Sequence, residues 1–212
     1  MNLQPETGTV FIVDDDASFL RSVSRLLGAA GYSVQAFASA NKFLEQLTPG
    51  MRGCVLADLQ MPGMNGLELQ AALGKSVNPL PVVFLTGQGN IPTTVQAMRH
   101  GAEDFLTKLS PKEELLDAVK RALARDVSAR QQRERLQELR ARFEALTRRE
   151  LEVLEHVVRG EQNKQIADEL GIHLRTVKMH RTNLTRRLQV QSVAELTRLV
   201  EEAGLFKRAG TP

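Results

Sequence analysis

The sequence of 212 residues has no tryptophan, one tyrosine and one cysteine, and only 4% of its residues are aromatic. A single cysteine, Cys54, excludes an internal disulfide framework and fits a reducing cytoplasm, the expected location. Set beside Val55 and Leu56, it reads as a small buried hydrophobe. No apolar run approaches the roughly 20 residues that span a bilayer, so no membrane partner is expected. The opening "MNLQPETG" lacks both the basic region and the apolar core of a signal peptide. His173 and His180 have no Cys or His partners at metal-ligand spacing, which argues against a metal site there. Acid is also missing locally. Residues 170–194 hold Arg175, Lys178, Arg181, Arg186 and Arg187 and no Asp or Glu. An acid-free basic segment in a chain of net charge +3 points to a polyanion, against the blander reading of a solvated helix face.

The remaining composition, 42% hydrophobic and 25% charged, is that of a globular chain, and the length permits one large domain or two modest ones. Residues 1–124 carry a formal charge of −2 and residues 125–212 one of +5. In the first part, five short apolar runs (9–13, 32–37, 54–58, 81–86 and 104–108) alternate with five segments of helical spacing. That order predicts a parallel sheet covered on both faces through right-handed βαβ units. No strand signal returns after Ala124. Residues 125–145 contain neither Gly nor Pro and carry a thin apolar stripe of Leu136, Leu139 and Phe143, so a helical connector continuing the fifth helix is expected. Four helices follow, roughly 147–159, 163–170, 174–188 and 192–203, and the tight turn "GIH" between the second and third is the helix-turn-helix pattern.

In an open parallel sheet, function collects outside the carboxyl ends of the strands. Asp14, Asp15 and Asp16 close the first strand, Asp58 the third, Thr86 the fourth and Lys108 the fifth. "VDDDAS" alone also suits a helix cap, the role expected of Asp16. Several carboxylates gathered at one sheet edge call for a cation, and an all-oxygen set suits Mg²⁺, with Mn²⁺ as the substitute ion. A lysine and a threonine hydroxyl beside them suit the oxygens of a phosphoryl group.

The motifs "VFIVDDDAS", "VLADLQMPGMNGLEL", "VVFLTGQGN" and "GAEDFLTK" together resemble the receiver domain of bacterial two-component response regulators, over residues 8–124. The resemblance implies a flavodoxin-like doubly wound fold and a histidine kinase that phosphorylates Asp58. It makes Asp14, Asp15, Asp58 and the backbone carbonyl of Gln60 the metal ligands, Thr86 and Lys108 the grip on the phosphoryl oxygens, and Phe105 the aromatic that moves with Thr86. Asp58 is then expected to be an exposed nucleophile, left open by the "MPG" turn. Lys108 is followed by Leu109 where the family usually has Pro, commonly through a cis peptide.

On a helical wheel, Val177, Leu184 and Leu188 share one face, while Arg175, Lys178, Met179, Thr182 and Arg186 fall about 100–200° away. A basic outer face on a packed helix suits the DNA major groove. "LTRRELEVL", "NKQIA" and "TVKMH" are similar to the LuxR-type helix-turn-helix, over 146–208 with 125–145 as linker. The whole chain is thereby identified as a member of the NarL/FixJ response regulators, a DNA-binding transcription regulator and not an enzyme. The resemblance implies base contacts from Lys178, Met179 and Thr182. It further implies contacts from Asn163, Lys164, Arg175, Thr176, Arg181 and Arg186, a homodimer on phosphorylation through the 91–108 surface and the last helix, and promoter DNA and RNA polymerase as partners. Position 174 is Leu where the family often has a small or polar residue. Two rivals stand beside this reading: a Mg²⁺-dependent aspartyl phosphatase with Asp14 as nucleophile, and a constitutive DNA-binding protein whose receiver is only a scaffold.

Overall fold

A computed structural model describes residues 8–87 and 91–206. The "QGN" of the third motif and residues 207–208 of the expected second domain lie outside that range, as do residues 1–7 of the opening stretch. The chain divides into two compact units that meet between Arg130 and Gln131.

The first unit carries β1 (Thr9–Val13), α1 (Ala17–Ala29), β2 (Ser33–Phe37), α2 (Ala40–Gln46), β3 (Gly53–Asp58), α3 (Gly66–Gly74), β4 (Val82–Thr86), α4 (Ile91–Arg99), β5 (Asp104–Thr107) and the start of α5 (Lys112–Glu144). The strands form one parallel sheet in the order β2-β1-β3-β4-β5. β3 is central and buried along its whole length, which explains its unbroken apolar run. Alternate residues feed two cores. Phe11, Val13, Val55, Ala57 and Phe84 pack with Phe43 of α2, Leu69 of α3 and Ala97 of α4. Val10, Ile12, Cys54, Leu56 and Val83 pack with Leu20 and Leu27 of α1 and Val119 of α5. Cys54 is the buried hydrophobe expected, and burial pushes its thiol up to about 12.

β1 and β3 are the neighbours at which the strand order reverses, so the carboxyl ends of both open into the crevice of the sheet. Asp16 caps α1, its Oδ1 accepting from the N–H groups of Ser18 (2.8 Å) and Phe19 (3.2 Å). Gly66 begins α3 close against β3: a Cβ there would sit 2.4 Å from the Asp58 carbonyl oxygen, so "MNG" brings the helix to a distance only glycine permits.

The second unit holds the end of α5 with α6 (Arg148–Val158), α7 (Asn163–Leu170), α8 (Leu174–Leu188) and α9 (Val193–Ala203). Its core combines Val153, Leu154, Ile166, Val177, Leu184, Leu188, Leu196 and Val200 with Leu139 and Phe143 from α5. Gly171 turns the chain between α7 and α8 in the left-handed conformation (φ 62°), and the Ile172 N–H closes on the Ala167 carbonyl at 3.0 Å. α5 thus continues beyond Ala124 as expected, but its residues 125–144 are shared between the two units. Among the described residues no helix is long and apolar enough to cross a membrane.

Candidate functional site

At the carboxyl edge of the sheet, one carboxylate oxygen from each of Asp14, Asp15 and Asp58 lies within 4.8 Å of the others. Lys108, just after β5, completes the group: its Nζ is 2.6 Å from Asp14 Oδ2 and donates to Asp58 Oδ2 at 2.7 Å. Burial pushes the Asp14 carboxyl up, against the opposing pull of Lys108 and of the Asp16 N–H that donates to its Oδ1 at 2.8 Å. The Lys108 ammonium is pulled down by burial, but its hydrogen bonds to Asp14 and Asp58 outweigh this and hold it above the ordinary lysine range. Its Nζ also lies 4.5 Å from the centroid of the Phe19 ring, a cation–π contact. Phe19 was not among the expected residues. Its signal lay in the Asp16 cap, which starts α1 so that the third residue on returns to the cluster.

Asp58 departs from expectation in one respect. It is only 7% exposed, not an open nucleophile, because β3 ends inside the sheet and Lys108 covers its carboxylate. Its Oδ1 accepts the Gln60 N–H at 3.2 Å, so Gln60 touches the site through its amide. Asp15 is exposed and gives the cluster its open side, where a shallow cavity is lined by Asp15, Gln60, Met61 and Asn65. Thr86 is buried at the end of β4, one residue beyond Leu85, which pairs with Asp58 across the ladder. The Thr86 carbonyl accepts the Lys108 N–H at 2.8 Å. Phe105 is half-buried on β5, its ring 6.3 Å from that of Phe84. No cis peptide occurs among the described residues, so Lys108–Leu109 is trans, and Lys108 still reaches both carboxylates. The Leu109 side chain stands 92% exposed.

In the second unit, α8 buries Val177, Leu184 and Leu188 and exposes Arg175, Lys178, Met179, Thr182 and Arg186, as the wheel predicted. Lys164 is exposed at the start of α7, and Thr176 is half-buried. Arg181 stands apart from the outward stripe: it is half-buried, and its Nη1 donates to Asn163 Oδ1 at 2.9 Å, so two expected DNA contacts bond each other. The Thr182 hydroxyl donates to the Lys178 carbonyl at 3.1 Å and keeps its acceptor lone pair outward. Leu196 and Val200 of α9 are core residues, whereas Val193 is 43% exposed. A brace missed in the sequence anchors α8. Buried Glu150 accepts from Thr147 N–H (2.8 Å) and Oγ1 (2.9 Å) and faces Arg187 Nε at 3.5 Å, while Arg187 Nη1 donates to the Ala145 carbonyl at 2.8 Å.

Comparison with known proteins decides the family. Residues 10–120 match the model of the response regulator receiver domain, and residues 144–200 that of the bacterial regulatory proteins of the luxR family. The chain belongs to the NarL/FixJ-type response regulators. It is 39% identical over 200 residues to response regulator protein TodT of Pseudomonas putida, covering 94% of this chain and 88% of TodT. With the transcriptional regulatory protein FixJ of Bradyrhizobium diazoefficiens it shares 37% identity, over 94% of this chain and 97% of FixJ. The solved structure of the response regulator StyR superimposes with a TM-score of 0.80 at 46% identity, covering 92% of this chain and 98% of that one. The regulator is therefore a DNA-binding transcription regulator and not an enzyme, and the receiver implies a histidine kinase partner. This removes the phosphatase alternative.

Proposed function

We propose that the regulator is switched by phosphoryl transfer from a histidine kinase to Asp58, and that the switch controls dimerisation and promoter binding. The observation that carries this is the convergence of Asp14, Asp15, Asp58 and Lys108 at the β1/β3 switch point. An all-oxygen donor set of three carboxylates with an open side fits a hard dication. Asp14, Asp15, Asp58 and the Gln60 carbonyl would hold Mg²⁺, or Mn²⁺ in its place. The ion, when bound, supplies positive charge against the phosphoryl oxygens. Asp58 Oδ forms the new O–P bond as the P–N bond to the kinase imidazole breaks and the imidazole leaves with the electron pair. Lys108 pairs with the product, which carries about two negative charges and three acceptor oxygens. Thr86 donates its hydroxyl to one of those oxygens. Its movement frees space for Phe105 and alters the α4–β5 surface at 91–108, where two copies would pair, with the exposed Val193 end of α9 pairing their DNA-binding units.

On DNA, Lys178, Met179 and Thr182 face base edges, and Lys164, Arg175, Thr176 and Arg186 meet the backbone. Asn163 and Arg181 join that backbone set as a bonded pair. Two linked half-site contacts raise apparent affinity beyond either alone. RNA polymerase is the downstream partner, and the cytoplasm, where kinase domain and promoter are both accessible, is the compartment. Domain limits of 8–124 and 146–208 around a linker belong to this reading.

The test is mass spectrometry after acetyl phosphate and Mg²⁺, beside Asp58→Asn. One phosphoryl group mapped to Asp58 and absent from the variant is expected. An unmodified, folded protein would instead select the constitutive DNA-binding reading with the receiver as scaffold.

A further inference from the structure

A second group of metal-competent side chains lies outside the receiver, at the turn between α6 and α7. His156, in the last turn of α6, is largely enclosed, with 12% of its side chain exposed. Its Nδ1 is 2.7 Å from Glu161 Oε2, contributed by the turn, and 3.4 Å from Glu169 Oε2, contributed by α7. The three ligand atoms lie within 4.8 Å of one another. We propose that His156, Glu161 and Glu169 form a divalent-metal site of the zinc class, which closes the α6–α7 turn.

Three considerations lead there. The first is hydrogen-bond supply. One imidazole nitrogen carries at most one N–H, yet two carboxylates converge on it, so one of them is left short whichever tautomer is present. The second is charge. Neighbouring glutamates have arginine partners, Glu152 with Arg148 and Arg149 and Glu155 with Arg159, whereas among the described residues His156 is the sole ion-pair partner of Glu161 and of Glu169. Two carboxylates on one ring are a net negative spot inside a basic unit. The third is geometry. A zinc ion held at about 2.0–2.2 Å from N and O donors sets tetrahedral donor–donor separations of about 3.3 Å. The His156–Glu169 separation is already at that value. The His156–Glu161 pair has to open by about 0.6 Å, within the reach of a glutamate on a turn.

The donor set also separates this site from the one in the receiver. Three carboxylates with no nitrogen suit Mg²⁺, whereas one imidazole with two carboxylates and a water suit zinc, and zinc binds mixed N/O sets far more tightly than Mg²⁺ does. The two sites can therefore be told apart by ion. On the reading that Asn163 and Lys164 meet DNA phosphates, filling this site also cancels the Glu161 charge two to three residues upstream, and zinc would tighten DNA binding.

The experiment is calorimetric titration of zinc chloride into the full chain under excess Mg²⁺, repeated with Co²⁺ to read the visible absorption of a nitrogen-containing site. Parallel titrations use His156→Gln and Glu169→Gln. Glu169 is more than half exposed, so its variant leaves the fold intact. The expected result is one zinc per chain, weakened at least about tenfold in each variant, with slowed hydrogen exchange across residues 159–162 on binding. Zinc binding of equal affinity in both variants, or none in the parent, overturns the proposal and leaves His156 as an ion-pair partner alone. Neither outcome bears on Asp58 phosphorylation, which is read separately.

Discussion

Replacing Lys108 by Met removes a cation and little volume, and the cluster sets the size of the effect. The ammonium contacts two carboxylate oxygens at 2.6 and 2.7 Å and is itself about one-fifth exposed. Each such pair, at under 3 Å, is worth about 6 kcal/mol of Coulomb energy at an effective dielectric near 20. Much of that repays the desolvation of three charged groups, and breaking a buried pair from one side typically costs about 3–5 kcal/mol. Here the exposed Asp15 edge admits water, and Asp14, with its carboxyl already pushed up by burial, can take a proton. The expected net loss is about 2 kcal/mol at neutral pH without divalent ions. Mg²⁺ should restore it, because the ammonium no longer competes for the same oxygens; saturation at about 100 times Kd contributes about 2.7 kcal/mol. Urea unfolding followed by tyrosine fluorescence reads this cleanly, since Tyr32 is the single tyrosine, the chain has no tryptophan, and Tyr32 packs in the first unit. A variant equal to the parent without Mg²⁺, and showing the same Mg²⁺ dependence, would refute the coupling of Lys108 to the carboxylates.

Three further outcomes are expected. Asp126, 3% exposed, accepts the Gly53 N–H at 3.0 Å and Arg130 Nη2 at 2.6 Å; Asp126→Ala should destabilise the first unit by about 2–4 kcal/mol on the same fluorescence assay, and a loss below about 0.5 kcal/mol would show the clasp to be idle. Burial pushes the Glu150 carboxyl up, but its bonds from Thr147 outweigh this and hold it below the usual range. Its contribution is therefore complete above the ordinary glutamate value near 4.5 and is lost as pH falls through the lowered folded value; Glu150→Gln should abolish that acid-side rise in hydrogen exchange across α6. Arg181→Gln and Arg186→Gln should each weaken DNA binding and reduce its salt slope by about one; an unchanged slope in Arg181→Gln would make Arg181 a brace for Asn163 and not a phosphate contact.

How much of this was legible in the sequence depended on whether a local pattern carried it. The five strands were read within a residue or two because a parallel sheet buried on both faces writes itself as apolar runs ending in polar residues, and β3 is buried throughout. Asp14, Asp15, Asp58, Thr86 and Lys108 could be placed at one edge because strand ends in such a sheet share an edge. Their depth could not. Asp58 looks open when "MPG" follows it, yet its shelter comes from Lys108, fifty residues further along the chain. The same holds for Arg181, whose place on the wheel is near the buried side but whose partner, Asn163, begins the preceding helix. The Glu150–Arg187 brace likewise joins residues too far apart in sequence for any periodicity to announce, and the His156 cluster forms across the α6–α7 turn, where helical periodicity is broken.

The connector shows why a weak signal can still be informative. Residues 128–135 carry no regular apolar positions, which reads as a solvated stretch between domains. In the structure that gap marks a change of core along one helix. Up to Leu123 the apolar residues of α5 pack under the receiver sheet, and Asp126 with Arg130 adds a polar clasp to Gly53 before the first unit ends. From Leu139 onward the helix serves the second core, and Arg135 bonds Glu202 of α9 through Nε (2.5 Å) and Nη2 (3.0 Å). Averaged over 33 residues the helix looks barely amphipathic, because each half answers to a different partner. A connector built this way is a helical linker whose two ends each belong to a core. Phe143 is 1% exposed and Leu139 5%, so cutting the chain where the composition shifts, near residue 146, would remove part of the second core rather than release it intact.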